Sequence, residues 1–128
     1  MGADFRSDTV TRPSAAMRAA ILEAEVGDDV LDGDPTVRLL EEEAAAWLGK
    51  ERSLFVPSGT MANQIAIKAH TQPGDELICS HLAHIYNYEG GGIAANSGVQ
   101  ARCGGDDLGR LTADDVKALI QPSGNVHL

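Results

Sequence analysis

The stretch Leu54-Phe55-Val56-Pro57-Ser58-Gly59-Thr60-Met61-Ala62-Asn63-Gln64-Ile65-Ala66-Ile67 decides how the chain is read. Leu54, Phe55 and Val56 make a short apolar run, as a covered parallel strand does. Pro57 ends it, because proline brings no N–H to a ladder. Beyond the Ser58-Gly59-Thr60 turn, Ala62, Ile65, Ala66 and Ala69 recur at helical spacing. A helix opening there presents unpaired N–H groups and the positive end of its dipole, which suits a phosphate. Two readings stand at this point. Ser58 or Thr60 caps the helix while Gly59 relieves the turn, or the three residues cradle an anion with backbone and hydroxyl donors.

The next apolar segment, Glu76-Leu77-Ile78-Cys79-Ser80, reads as a second buried strand, after a turn at Gln72-Pro73-Gly74-Asp75. Strand, helix and strand make a βαβ unit, so the sheet is expected to be parallel. Ligands of open α/β sheets bind beyond the carboxyl ends of the strands. Those ends are Ser58–Thr60 and His81–His84, which a right-handed crossover brings to one edge. His84 is the best candidate for chemistry. It precedes Tyr86, Tyr88 and Glu89, and an imidazole there can stack on a flat ligand or move protons near neutral pH. A hydrogen-bonded histidine of no catalytic role is the plain alternative. His81 and His84 lack an obvious third ligand, so no metal site is expected.

Upstream, residues 4–12 read as a polar extended arm. Ser14 caps a helix whose apolar positions are Met17, Ala20, Ile21 and Ala24. Residues 26–34 hold Asp28, Asp29, Asp32 and Asp34, but no glutamate stands at calcium-loop spacing, so a solvated or capping loop is expected. Asp34 caps the next helix, Pro35 takes its first position, and Gly49 ends it. Val37, Leu40, Ala44, Trp47 and Leu48 form its apolar stripe. Downstream, a helix starts at His84 and is broken by Gly90-Gly91-Gly92. Val99–Cys103 alternates as a third strand does, and Thr112 caps a helix carrying Val116, Leu119 and Ile120. Pro122-Ser123-Gly124 turns the chain into Asn125–Leu128, which starts another strand.

With 128 residues the chain is one domain or part of one. Ten basic residues against nineteen acidic give a net charge of −9. That balance argues against non-specific nucleic-acid binding and an anionic membrane surface. Two cysteines, Cys79 and Cys103, make neither a zinc motif nor a disulfide framework. No leader or transmembrane-length run is visible, so a soluble cytoplasmic protein is expected.

Four blocks occur in order and with characteristic spacing: Asp4–Pro13, Val26–Val30 with Asp34–Val37, Gly49–Glu51 with Phe55–Gln64, and His84–Glu89. Together they resemble the threonine aldolase family. The resemblance implies an α/β fold: the front portion of a fold type I, aminotransferase-like large domain with a mostly parallel sheet. Residues 1–128 would belong to one such domain, with an arm and helices over 1–50 and the start of the βα sheet over 51–128. It implies pyridoxal 5′-phosphate (PLP) as cofactor and cleavage of the Cα–Cβ bond of β-hydroxy-α-amino acids, threonine giving glycine and acetaldehyde. PLP supplies the electron sink for such chemistry. By position, Ser58, Gly59 and Thr60 would hold the cofactor phosphate, and His84 would stack on its ring and help remove the hydroxyl proton. Ser7 would bind the substrate carboxylate, and Glu89 would help position the proton-transfer network. Leu31 stands where many members carry Tyr. The family's cofactor lysine lies in later sequence, and Lys50, Lys68 and Lys117 do not stand in its context, so no turnover is expected from these 128 residues alone. The resemblance also implies a homo-oligomer, dimer or tetramer. The rival readings are a related PLP-dependent β-eliminating lyase and a non-catalytic fragment that keeps only the phosphate-binding turn.

Overall fold

A computed structural model describes residues 3–122 and 124. Residues 1–55 and 56–128 form two compact units.

In the first unit Ser7 caps a 3-10 turn at Asp8–Val10 within the polar arm. Helix α1 spans Ala15–Glu23, and the Ser14 side chain accepts from Met17 N, as expected. Helix α2 spans Pro35–Leu48 between the Asp34 cap and Gly49, which sits at φ 62, a left-handed conformation that favours glycine. The acidic loop is an internal hydrogen-bond device. Asp28 accepts from Val30 and Leu31 N, and Asp34 from Gly27 and Val37 N. Two expectations fail here. Leu54–Val56, expected as a strand, and the residues just before it have no regular secondary structure and join no sheet. Their bonds run to helix α2: Ser53 Oγ donates to Glu41 O and Phe55 N to the Glu41 carboxylate. A strand needs a ladder partner, and none exists for it among the described residues. The stripe of α2 holds only in part: Val37 and Ala44 are half-buried beside the buried Ala45, whereas Leu40, Trp47 and Leu48 are exposed.

The second unit opens with α3, Gly59–His70, capped by Ser58. Strands β1 (Glu76–Ser80) and β2 (Gln100–Gly104) pair in parallel, with Leu77 opposite Ala101 and Cys79 opposite Cys103. The parallel sheet is therefore present, built on the second and third expected strands. The crossover between them holds α4 (His84–Asn87) and α5 (Gly92–Ser97), the latter not anticipated from sequence. Helix α6, Ala113–Leu119, carries a reciprocal Thr112–Asp115 capping box. The expected strand at 125–128 lies outside the described residues.

The core is small and lies on one side of the sheet. Ile67, Ile93 and Val99 are buried together, with Leu77, Ile85 and Ala101 packed against them. On the other side Gly104 packs against Leu119 of α6, whose Cδ1 would lie 2.8 Å from an added Cβ and have to shift. Cys79 is a buried core residue whose thiol is pushed up to about 11, first by burial and then by the Cys103 thiol 3.8 Å away. The core-facing side of α3 is not its alanine-rich side. Ile67 is buried and Asn63 and Gln64 are half-buried, while Ala62, Ile65, Ala66 and Ala69 face outward. Among the described residues no helix is long and apolar enough to cross a membrane.

Candidate functional site

The turn after β1 fixes the first functional side chain. Ser80 Oγ accepts from Leu82 N, and Ala83 N donates to Ser80 O at 2.9 Å. Asn87 then ties its amide back to His81 O and Ala83 O, at 2.8 and 3.0 Å. These bonds hold the single turn α4, which is too short to persist by propensity. His84 is its first residue. The His84 side chain is 61% exposed, yet its Nδ1 lies 2.9 Å from Oε1 of Glu89, whose side chain is 0% exposed. The Tyr88 ring stands 5.3 Å away, tilted by 47°.

Two glycines aim Glu89 inward. Gly90 and Gly91 both take positive φ, 61 and 72, and reverse the chain beside the carboxylate. The carboxylate then collects three donors: Asn63 Nδ2 at 2.7 Å, Gln64 Nε2 at 2.6 Å and His84 Nδ1. Burial opposes ionisation of Glu89, but these donors outweigh it and hold its carboxyl below the ordinary value. An ionised Glu89 only accepts, so the proton between it and His84 belongs to Nδ1. Nε2 is then the free nitrogen of a largely exposed ring.

Ser58 is the helix cap: its Oγ accepts from Met61 N at 3.1 Å. The capping bond uses a lone pair and leaves the hydroxyl proton available. The first intrahelical bond runs from Ala62 N to Ser58 O, so the N–H groups of Gly59 and Thr60 precede the ladder. A Cβ on Gly59 would meet nothing within 4 Å. The space beside Gly59 is therefore open.

The structure thus brings Ser58, Gly59, Thr60, His84 and Glu89 into one unit, with Asn63 linking the first turns of α3 to the His84–Glu89 pair. Ser7 belongs to the first unit, where its hydroxyl lies 2.8 Å from Thr9 Oγ1. His81 is occupied: its N and Nδ1 both reach Gly104 O. Among the described residues no group of three or more His, Cys, Asp or Glu is placed to hold a metal. Two grooves among the described residues are lined by other side chains. One of about 720 Å³ is lined by Arg38, Glu41, Arg52 and Leu54, and one of about 520 Å³ by Ile85, Ile93, Val99 and Ala101. Asn63, Gln64 and Asn96 are functional candidates that the sequence does not single out. For Asn63 and Gln64 the one signal it carries is an adjacent polar pair interrupting an apolar helix.

A parallel crossover with polar groups gathered beyond β1 is the arrangement of α/β proteins that bind ligands at strand ends. Residues 4–128 match the model of the beta-eliminating lyase family, and the chain belongs to that family. It is 48% identical over 125 residues to low-specificity L-threonine aldolase 1 of Arabidopsis thaliana, covering 95% of this chain and 35% of that protein. To the low specificity L-threonine aldolase of Escherichia coli (strain K12) it is 45% identical over 127 residues, 97% of this chain and 37% of the relative. The corresponding protein of Saccharomyces cerevisiae is 41% identical over 130 residues, with 97% and 33% covered. The chain spans about a third of the length of the curated relatives it matches.

Proposed function

We propose that this chain supplies the phosphate-binding and ring-binding part of a PLP-dependent lyase that cleaves Cα–Cβ of β-hydroxy-α-amino acids, threonine giving glycine and acetaldehyde. The observation that carries the reading is the exposed His84 ring, fixed at Nδ1 by a buried carboxylate and free at Nε2. The names of the relatives point the same way.

The residues present fit the cofactor. Gly59 and Thr60 offer N–H groups outside the helical ladder, Ser58 and Thr60 offer hydroxyls, and Gly59 leaves the approach open. These three residues would hold the phosphate. The face of His84 would rest against the ring. When bound, PLP supplies the electron sink for the pair left at Cα. His84 Nε2 accepts the β-hydroxyl proton as that C–O bond becomes a carbonyl. Glu89 keeps the imidazole in the tautomer with Nε2 bare and stabilises the imidazolium that forms. Ser7 would donate its hydroxyl to the substrate carboxylate. The parent protein is a homo-oligomer in this reading, and an 88% exposed Trp47 is a surface for such assembly.

The test is product analysis on the full-length protein with L-threonine and PLP. Glycine and acetaldehyde in equal amounts are expected. A 2-oxo acid with ammonia would instead support the related β-eliminating activity, the second reading, which the family's name suggests.

A further inference from the structure

Glu89 does not fix His84 unaided. Its two oxygens are held separately, Oε1 by Asn63 and His84 and Oε2 by Gln64. Gln64 is itself held. Asn96 Nδ2 donates to Gln64 Oε1 at 3.0 Å, so the amide presents its N–H side to Glu89. A reversed amide would set oxygen against carboxylate and NH2 against NH2. Asn96 is anchored in turn, since its backbone oxygen accepts from Lys68 Nζ at 2.8 Å. Space for the amide comes from Gly92. A Cβ there would lie 2.5 Å from Gln64 Oε1, 2.6 Å from Cδ and 2.7 Å from Nε2. Asn96 donates to Gln64, and Gln64 and His84 both donate to Glu89, so the four form one connected set of hydrogen bonds across α5, α3, α4 and the turn that follows it.

We propose that Gln64, oriented by Asn96 and given room by Gly92, is a positioning residue that sets the tautomer of His84. The inference rests on His84 as the proton acceptor proposed above. Its physical content is narrower. Gln64 holds Oε2 of Glu89 so that Oε1 faces Nδ1 squarely, and this keeps the hydrogen on Nδ1 and the lone pair on Nε2. Without Gln64 the carboxylate swings, the Nδ1 bond weakens, and Nε2 carries hydrogen for a larger share of the time.

The test reads the ring directly. The protein is labelled with ¹⁵N-histidine, His84 is assigned with His84→Asn, and the ring nitrogens are recorded at a pH where the imidazole is neutral. The native protein is expected to hold Nδ1–H in excess. Gln64→Leu, which keeps bulk and removes the amide, should lower the Nδ1–H to Nε2–H ratio roughly threefold or more. Gly92→Ala should act in the same direction by displacing the amide. Asn96→Ala should lower the ratio about twofold by releasing the amide to turn. Asn96 is exposed, so this variant decides the matter if the other two do not fold. Packing alone would alter unfolding midpoints and leave the tautomer ratio as in the native protein. An unchanged ratio in Asn96→Ala and in whichever of the other variants fold overturns the proposal. No cofactor or substrate is present in this measurement, so its failure is distinct from failure of the lyase reading, which product analysis decides.

Discussion

The two units carry comparable shares of secondary structure and very different amounts of interior. In residues 1–55 Ala45 is the one residue buried among those described, while Phe5, Ile21, Leu22, Val30, Leu31, Trp47 and Leu48 lie open. In residues 56–128 Ile67, Cys79, Ile93 and Val99 are buried, and so are two polar residues, Glu89 and Ser97. The first unit is held by caps and loop hydrogen bonds, local devices contributing about 1 kcal/mol each. The second has a sheet, a core and a buried carboxylate that is fully paired. On the proposed reading the two units serve differently: the polar arm would add one hydroxyl contact, whereas the packed unit would set a side chain's tautomer.

The sharpest test of that difference compares His84 with Ser7. If His84 is the proton acceptor proposed above, His84→Asn in the full-length protein is expected to lower kcat by about 10²–10⁴. The side chain is mostly exposed and the Asn amide can take over the Nδ1 bond to Glu89, so unfolding should move little. Ser7→Ala should act chiefly on KM, about tenfold, as loss of one hydroxyl contact does. Steady-state kinetics on both variants decide it. Equal kcat losses would break the comparison, since the arm would then be as much a part of the chemistry as the packed unit.

A second pair compares two glutamates. Glu89→Ala leaves the half-buried amides of Asn63 and Gln64 without their acceptor and should cost about 3 kcal/mol in urea unfolding. Glu41→Ala in the first unit frees one exposed N–H, that of Phe55, and should cost about 1 kcal/mol or less. The larger loss should also depend on pH. The Glu89 carboxyl titrates below its usual 4.5 in the fold, so the fold binds its proton less readily than the unfolded chain does. Its contribution is therefore present above pH 4.5 and drains away as pH falls through the lower folded value. Glu89→Gln should flatten that acid limb. An unaltered acid limb would mean that the three donors do not favour the ionised carboxyl.

Legibility in the sequence tracks the range of the interactions involved. Ser14, Asp34, Ser58 and Thr112 cap their helices as expected, because each bond spans three residues. Leu54–Val56 reads as a strand and is not one, because hydrophobicity marks a segment fit for a sheet without supplying its neighbour. The sheet that did form joins segments whose register partners lie 24 residues apart. Helix α5 is hidden because Gly90–Gly92 reads as a breaker, whereas Gly90 and Gly91 turn the chain and Gly92 begins the helix. Within the site, His84 and Glu89 are visible from local order and family resemblance. Gln64 is not, because the carboxylate that gives its amide a purpose is 25 residues away. The buried side of α3 is inverted for the same reason: alanines follow the helical period, but the amides have the buried partner.

The smallest expected effect is a difference of sign between two serines. Ser14 in the first unit accepts from Met17 N at 3.2 Å and caps α1. Ser14→Ala should lower stability by about 1 kcal/mol, the usual cost of losing a cap. Ser97 ends α5 in the second unit, is buried, and its Oγ has no hydrogen-bond partner among the described residues. A buried hydroxyl without a partner opposes folding, because it gave up its bonds to water for nothing. Alanine keeps the Cβ and removes the unpaired group, so Ser97→Ala should be neutral or raise stability by up to about 1 kcal/mol. Urea midpoints of the two variants, measured together, read the sign directly. Amide hydrogen exchange assigns each change to its unit: faster exchange in α1 for Ser14→Ala, and unchanged or slower exchange in β1 and β2 for Ser97→Ala. A clear loss of stability in Ser97→Ala would show that its hydroxyl is paired, and that the packed unit holds a second polar contact of the kind Glu89 makes.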